Sequence, residues 1–474
     1  MTLRRLLVVG TCLALLAGAC SSRGEDDADG GGGSGTTATT EADGGAEDDG
    51  GVTFGDLASP CGPATDDPSA TAASDTATSD DPGETQGVGA DAIQVGTIAD
   101  PGFSGQPGLN QEIFDAGDAF VAWCNDQGGI NGRQIELTKY DAAISEYQTQ
   151  MESACSQEFA IVGDGAVQDN LWATVGAACG LIDIAGFSVT AEKGGTSGEE
   201  VWRESRAVQP LPNPSDQFPV GAMQLIDEEF PGVIESVGIL YGDIATTRAQ
   251  KDKITEAIEA IGGAVVLDRA TNILGEANWA PFAQAIQDAG VEMLIVVGSG
   301  DATGQLQQAL QEIDYVPEVT FLESNFYDPA YLDAAGDAAE GTFVRLAFTP
   351  FEEAADNPAT QDYIDMVEAV DGKVALLGAQ SVSGWLLFAQ SVKACDEAGT
   401  LTRTCVLETA GSVSDWDAGG LHAPSDPSTN SAVECALVVR VEDGAFVRHA
   451  PEEGFACDED SVVELTGDFT TAGG

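Results

Sequence analysis

The sequence predicts an α/β protein of two lobes, each a mostly parallel sheet with helices on both faces, preceded by a disordered tether. Three observations carry this expectation. From Ala92 onward short β-rich runs alternate with segments of helical period, the pattern of successive βα units that build parallel sheets. The rhythm breaks at Pro210-Leu-Pro-Asn-Pro214 and again at Thr349-Pro350, as it would where one chain leaves a lobe, builds another and returns. Residues 91 to 474 are also long enough for two cores of ordinary size.

The chain opens with Arg4 and Arg5 ahead of an apolar run, Leu6 to Ala19, that is too short to span a bilayer. Its end, Leu16-Ala17-Gly18-Ala19-Cys20, resembles the lipobox of bacterial lipoproteins. That resemblance implies a signal peptide over residues 1–19, acylation of Cys20, export, and lipid anchoring to the outer face of the cell membrane. Residues 20–90 are dominated by Gly, Asp, Glu, Thr and Ser, with few aliphatic side chains outside Val52-Thr53-Phe54 and Leu57. Such a stretch buries too little apolar surface to offset its chain entropy and reads as the tether.

The lobes follow in order. Strands are expected at 93–98, 134–140, 159–163 and 181–186, then at 237–241, 264–268, 293–298, 319–322 and 342–348. Ile113, Gly117, Phe120, Val121 and Cys124 share one face of a first helix that stops at Gly128-Gly129. Two long helical segments, near 358–370 and 375–398, follow the return crossing, and 432–441 with 445–449 reads as a strand pair. The lobes are drawn as 91–212 with 348–410, and 213–347 with 411–474.

Composition excludes several classes. With 79 acidic against 18 basic residues, the net charge of −61 argues against nucleic acid or an anionic membrane surface as a partner. Scattered surface acid of this kind is read as solvation. Apart from Cys12 and Cys20 there are eight cysteines, an even number in an exported chain, which argues for disulfides. Eight cysteines allow 105 connectivities. Proximity favours Cys395–Cys405 and Cys435–Cys457, Cys155–Cys179 would join consecutive βα units, and Cys61–Cys124 is then left by elimination. No C-x-x-C unit occurs and there are two histidines, so no metal site or cofactor is expected.

Catalysis finds little footing. There is no G-x-S-x-G elbow, no S-x-x-K, and no histidine near a plausible nucleophile. The run Gly298 to Gly304 stands where a dinucleotide loop would, but its spacing is off by one. Ligands of open α/β sheets bind beyond the carboxyl ends of the strands, and the loops there carry the candidate contacts. Asp100, Asp243 or Asp301 suit an ammonium group, and Ser188 and Thr190 offer hydroxyl donors. Val167, Gln168, Tyr241, Ser299 and Asn325 sit in the same ring of loops, while Phe103 and Tyr327 suit apolar walls.

Four markers, Asn125-Asp-Gln-Gly-Gly-Ile-Asn-Gly-Arg133, Asn278-Trp-Ala-Pro-Phe282, Ser324-Asn-Phe-Tyr327 and Ala347-Phe-Thr-Pro-Phe-Glu-Glu353, carry a wider resemblance. Residues 90–460 resemble the type I periplasmic-binding-protein family, specifically the branched-chain amino acid-type solute receptors of ABC importers. The acidic, cysteine-bearing, tethered form is similar to lipoproteins of high-GC Gram-positive bacteria. The resemblance implies a receptor that captures an amino acid, amide or related small molecule between two lobes and delivers it to an ABC permease, and the chain is expected to act as a monomer without catalysis. A module sensing the same ligand for a membrane receptor is the alternative. In that family the loops after the third and fourth strands hold the ligand. Ser188 and Thr190 match the hydroxyl-bearing loop, whereas Gly163-Asp-Gly-Ala-Val-Gln168 lacks the expected serine.

Overall fold

The computed structural model describes residues 51–63 and 79–471; the expected signal peptide, Cys20 and much of the expected tether lie outside the described residues. Described structure begins earlier than composition suggests. Strands β1 (Thr53–Phe54) and β2 (Leu57–Ala58) form a hairpin whose Phe54 is fully buried and meets Trp123 edge-on at 6.2 Å. One large aromatic ring is enough to dock a segment that is otherwise poor in apolar residues. Gln86 likewise donates to the carbonyls of Cys155 and Glu158. Residues 51–63 and 79–90 therefore belong to the fold and not to the tether.

The first sheet comprises β3 (Ala92–Ala99), β4 (Gln134–Asp141), β5 (Ala160–Val162), β6 (Asp183–Ile184) and β7 (Ala207–Val208). Its strands are all parallel in the order β4-β3-β5-β6-β7. Between them lie α1 (Gln111–Asp126), α2 (Tyr147–Cys155) and two single turns, α3 (Ala191–Gly194) and α4 (Trp202–Ser205). Helix α1 buries Ile113, Phe114, Ala116 and Phe120 along one stripe. It ends where Gly128 and Gly129 take φ of +110° and +78°, and a Cβ on Gly129 would fall 2.1 Å from the Arg133 carbonyl oxygen.

The chain then crosses to a second sheet. Strand β8 (Gln217–Pro219) and α5 (Gly221–Glu229) lead into β9 (Val237–Gly242), α6 (Ala245–Ala260), β10 (Val265–Thr271) and α7 (Ala280–Ala289). Next come β11 (Met293–Val297), α8 (Gly300–Glu312), β12 (Val319–Leu322), α9 (Pro329–Ala335) and β13 (Phe343–Leu346). The strand order β10-β9-β11-β12-β13 is parallel. After α10 (Pro358–Glu368), α11 (Leu376–Glu397) and α12 (Arg403–Ala410), the chain returns. Strand β14 (Cys435–Glu442) joins β13 antiparallel and pairs with β15 (Ala445–Ala450) and β16 (Ala456–Cys457). Finally β17 (Val462–Glu464) pairs with β8.

Helix α11 is the hub of the first lobe, packed against α1, α12, β5 and β6. It is apolar nearly all round, as a helix covered on every side must be. Trp385, fully buried, stacks on Phe120 at 5.6 Å. Four disulfides join Cys61–Cys124, Cys155–Cys179, Cys395–Cys405 and Cys435–Cys457.

One boundary differs from the sequence expectation. Residues 411–430, assigned there to the second lobe, are tied to α11. Trp416 Nε1 donates to Ser383 Oγ at 2.9 Å, and Ser383 Oγ lies 2.9 Å from His422 Nε2. His422 Nδ1 is 2.8 Å from the Ala423 carbonyl, which only accepts, so the ring is the neutral tautomer that takes the Ser383 proton at Nε2. Burial lowers this imidazole to about 4. The apolar run needed to pack a crossing segment is short here, so its attachment is made by polar side chains that carry no periodic signal.

Candidate functional site

The carboxyl ends of both sheets open onto one cavity of ≈250 Å³. Loops after β3, β5 and β6 face the start of α6 and the loops after β10, β11 and β12 across it, and the crossings near 211–213 and 346–348 line it as well. Its wall is chiefly aliphatic and aromatic, with Phe103, Phe187, Leu211, Ile273, Leu346 and Phe348 among the lining residues. The lobes meet at the mouth, since a Cβ on Gly105 would come within 3.1 Å of Leu274 Cδ2.

Of the residues singled out in the sequence, Phe103, Val167, Ser188, Ser299 and Asn325 line this cavity. The others do not. Asp100 is buried and accepts from the Ile144 and Val167 backbone N–H groups at 2.6 and 2.7 Å, so its carboxylate shapes the loop and is not open to an ammonium group. Asp243 lies at the surface and pairs with Arg248, and Asp301 is exposed in the first turn of α8. Tyr241 lies under Lys251, 5.4 Å from its ammonium. Tyr327 is buried behind the site, bonding Glu352 and accepting from the Phe351 N–H. Gln168 stands half-buried outside the wall, next to Asp169. A loop position is visible in a sequence; the direction of its side chain depends on the packing behind it.

Thr190 and Ser188 separate cleanly. Thr190 Oγ1 donates to Asp169 Oδ1 at 2.5 Å, and the backbone N–H groups of Val189 and Thr190 donate to the same carboxyl group. Thr190 thus holds the loop. The Ser188 hydroxyl is buried at the cavity wall with no hydrogen-bond partner, and its carbonyl accepts from Asn213 Nδ2 at 2.9 Å. Burial raises the Asp169 carboxyl to about 7, against the opposing pull of Lys193 and the Thr190 hydroxyl.

Beneath these loops sits an ionic cluster that sequence reasoning missed. Lys193 Nζ lies 2.9 and 2.7 Å from the oxygens of Asp164 and 2.7 Å from Asp183, all three side chains fully buried. Burial by itself would lower the ammonium, but Asp164 and Asp183 hold it well above the ordinary lysine value. Asp164 belongs to the loop that lines the site through Val167, so the cluster fixes the platform on which the ligand loops stand. The available signal was one basic residue in a strongly acidic chain, between Thr190 and Gly194. Gly163 closes the platform from behind: it has φ of +60°, and its Cβ would fall 2.5 Å from Trp385 Nε1.

On the second lobe Glu323 and Arg345 line the cavity and pair with each other, Nε to Oε2 at 2.6 Å. Behind them Lys253, on α6, donates to Asn213 Oδ1 at 2.9 Å and to the Pro214 carbonyl. Burial, then the Arg345 charge, lowers this ammonium to about 7. Among the described residues no group of His, Cys, Asp and Glu side chains is arranged to hold a metal ion.

A cavity between two sheets, bridged by chain crossings, is the kind of place where small molecules bind. The comparisons agree. A family model described as periplasmic binding protein matches residues 92–445, and the chain belongs to that family of non-enzymatic solute-binding proteins. Three solved structures are alike in fold. A leucine-binding protein from Thermotoga maritima is 14% identical with a TM-score of 0.60, covering 77% of this chain and 99% of its own. A fatty acid ABC transporter substrate-binding protein from Thermomonospora curvata is 17% identical, with a TM-score of 0.63 over 79% and 95% of the two chains. An ABC transporter solute-binding protein from R. palustris, in complex with 4-hydroxybenzoate, is 16% identical, with a TM-score of 0.60 over 78% and 98%. No curated protein sequence matches significantly.

Proposed function

We propose that this chain is the extracellular receptor of an ABC importer, capturing a small molecule in the interlobe cavity and presenting the closed form to a permease. The observation that carries the reading is the cavity itself, enclosed by loops at the carboxyl ends of both sheets. Ser188, Val167 and Phe103 from one lobe, with Ser299 and Asn325 from the other, are the contacts we assign. Thr190 and Asp100 act one step behind, by holding the loops. Closure would turn on the crossings near 209–216, 347–350 and 431–434, a hinge motion of an established kind. Acylated Cys20 would keep the monomeric receptor at the outer face of the membrane.

The test is a thermal-shift screen on protein unfolded and refolded to strip any retained solute. Amino acids, amides, small carboxylates and polyamines form the panel. A ligand at 100 times its Kd stabilises the folded state by about 2.7 kcal/mol, which a melting curve resolves. One chemical class should move the transition. Silence across the panel, from protein that circular dichroism shows to be refolded, would count against capture of a solute.

A further inference from the structure

The cavity wall carries several polar residues, and four of them hold a buried oxygen without a hydrogen-bond partner. Ser188 Oγ, Gln106 Oε1, Gln380 Oε1 and Glu323 Oε1 are all buried oxygens that no donor reaches. Buried polar atoms nearly always find a partner, and leaving one without costs free energy. The amide oxygens of Gln106 and Gln380 and the carboxylate oxygen of Glu323 can only accept, while the Ser188 hydroxyl can also donate, so what these residues lack is chiefly hydrogen-bond donors. Ser188, the most enclosed, is 2% exposed.

The cationic side of the wall is already spent. Arg345 is the one lysine or arginine among the cavity-lining residues, and its Nε and Nη2 lie 2.6 and 2.5 Å from Glu323 Oε2. Lys253, just behind, is committed to Asn213 and Pro214. A ligand carboxylate entering here would meet a neutralised guanidinium and stand beside the free oxygen of Glu323, the repulsive geometry of two carboxylates sharing one site.

We propose, resting on the reading of this cavity as a solute site, that its occupant is an apolar molecule carrying hydroxyl, amide or ammonium donors and no carboxylate. The aliphatic and aromatic wall receives the body, and the four oxygens receive the donors. Glu323 works as the element that rejects anions, specificity by repulsion as much as by attraction.

The experiment is calorimetric titration of the refolded, full mature chain with four probes of similar size: 1-hexanol, n-hexylamine, hexanoate and L-leucine. At least one of the alcohol and the amine should bind tenfold or more tightly than hexanoate. Ala347→Trp, which fills the cavity, should abolish that binding, so that adsorption elsewhere is told apart. Glu323→Gln should release Arg345 and raise hexanoate affinity at least tenfold while weakening the amine. If hexanoate or leucine binds wild-type protein as tightly as the donors do, the proposal is overturned while the solute-binding reading stands. If none of the four binds, and native mass spectrometry of the protein as purified shows no retained small molecule, both readings fall. If Glu323→Gln does not fold, the order of the four probes on wild-type protein decides alone.

Discussion

Asn213 Nδ2 donates to the carbonyl of Ser188 at 2.9 Å. This one amide joins the first crossing to the loop that carries the only buried, unpartnered hydroxyl of the first lobe's ligand loops, and its other face takes a hydrogen bond from Lys253 on the second lobe. That loop and a second-lobe helix are thereby connected through a single side chain on the first crossing.

The first prediction concerns that connection. Asn213→Ala leaves the buried Lys253 ammonium with one partner fewer and frees the Ser188 loop, and should destabilise the fold by about 2–4 kcal/mol. Adding Lys253→Met removes the stranded charge, so the double variant should be more stable than Asn213→Ala alone. Guanidinium denaturation of the three variants measures the cycle; simple additivity would mean that the two side chains are not coupled.

Ser188 and Thr190 should part company. Ser188→Ala is expected to weaken ligand binding by about 1–3 kcal/mol, the cost of an unmet buried ligand group, with little change in melting temperature. Thr190→Ala breaks the bond to Asp169 and should lower stability by about 1 kcal/mol. Equal effects of both on affinity alone would place Thr190 in contact with ligand.

Asp169 gives a pH dependence. Its carboxyl is raised from 3.8 to about 7 by burial, so between those values the folded state holds a proton that the unfolded state has released. Stability from this group is complete below about pH 4 and is lost as pH climbs towards 7. Asp169→Asn, which cannot ionise, should flatten that falling limb of the stability curve. Lys253 runs the other way: with its ammonium lowered to about 7, stability should rise with pH above 7, and Lys253→Met should remove that rise.

The Cys61–Cys124 bridge closes a loop with a sequence separation of 63. In the chain-entropy picture its loss costs about 4 kcal/mol. Replacing both cysteines by serine should lower the denaturation midpoint accordingly and speed proteolysis between the hairpin and Ile93. An unchanged midpoint would mean that the hairpin is held by Phe54 and its hydrogen bonds without the bridge.

The alternating elements were readable because their signals are periodic and local. The strand expected at 319–322 is the strand observed, and the helix expected near 375–398 runs over Leu376–Glu397. Strands of two residues, such as β7, offer too short a run to be seen. The cysteine pairs expected from the sequence are the pairs the structure joins, whereas the docking of residues 51–63 rests on a single buried ring, Phe54, on a disulfide and on scattered backbone hydrogen bonds, which no compositional window can weigh. In the site, loops were found and side-chain directions were not. Asp100 and Thr190 have the right chemistry in the right loops, yet they spend it on backbone and on each other's neighbours. Glu323, Gln106, Gln380 and Lys193 carry no local pattern, and only the fold brings them together.

The hairpin at the start of the described chain has a mechanical meaning. Gly55 N–H donates to Asp362 on α10 at 2.8 Å, Asp56 N–H donates to the Gly419 carbonyl at 3.0 Å, and Cys61 is bonded covalently to Cys124 on α1. Every one of these grips belongs to the first lobe or to the segment stitched to it. A pull arriving along the N-terminal chain is thus borne by one jaw, and it ends at a covalent stop before it reaches the strands that hold the ligand loops. The opposite jaw makes none of these contacts, so in the anchored receptor proposed above a taut leash would leave the closing motion free.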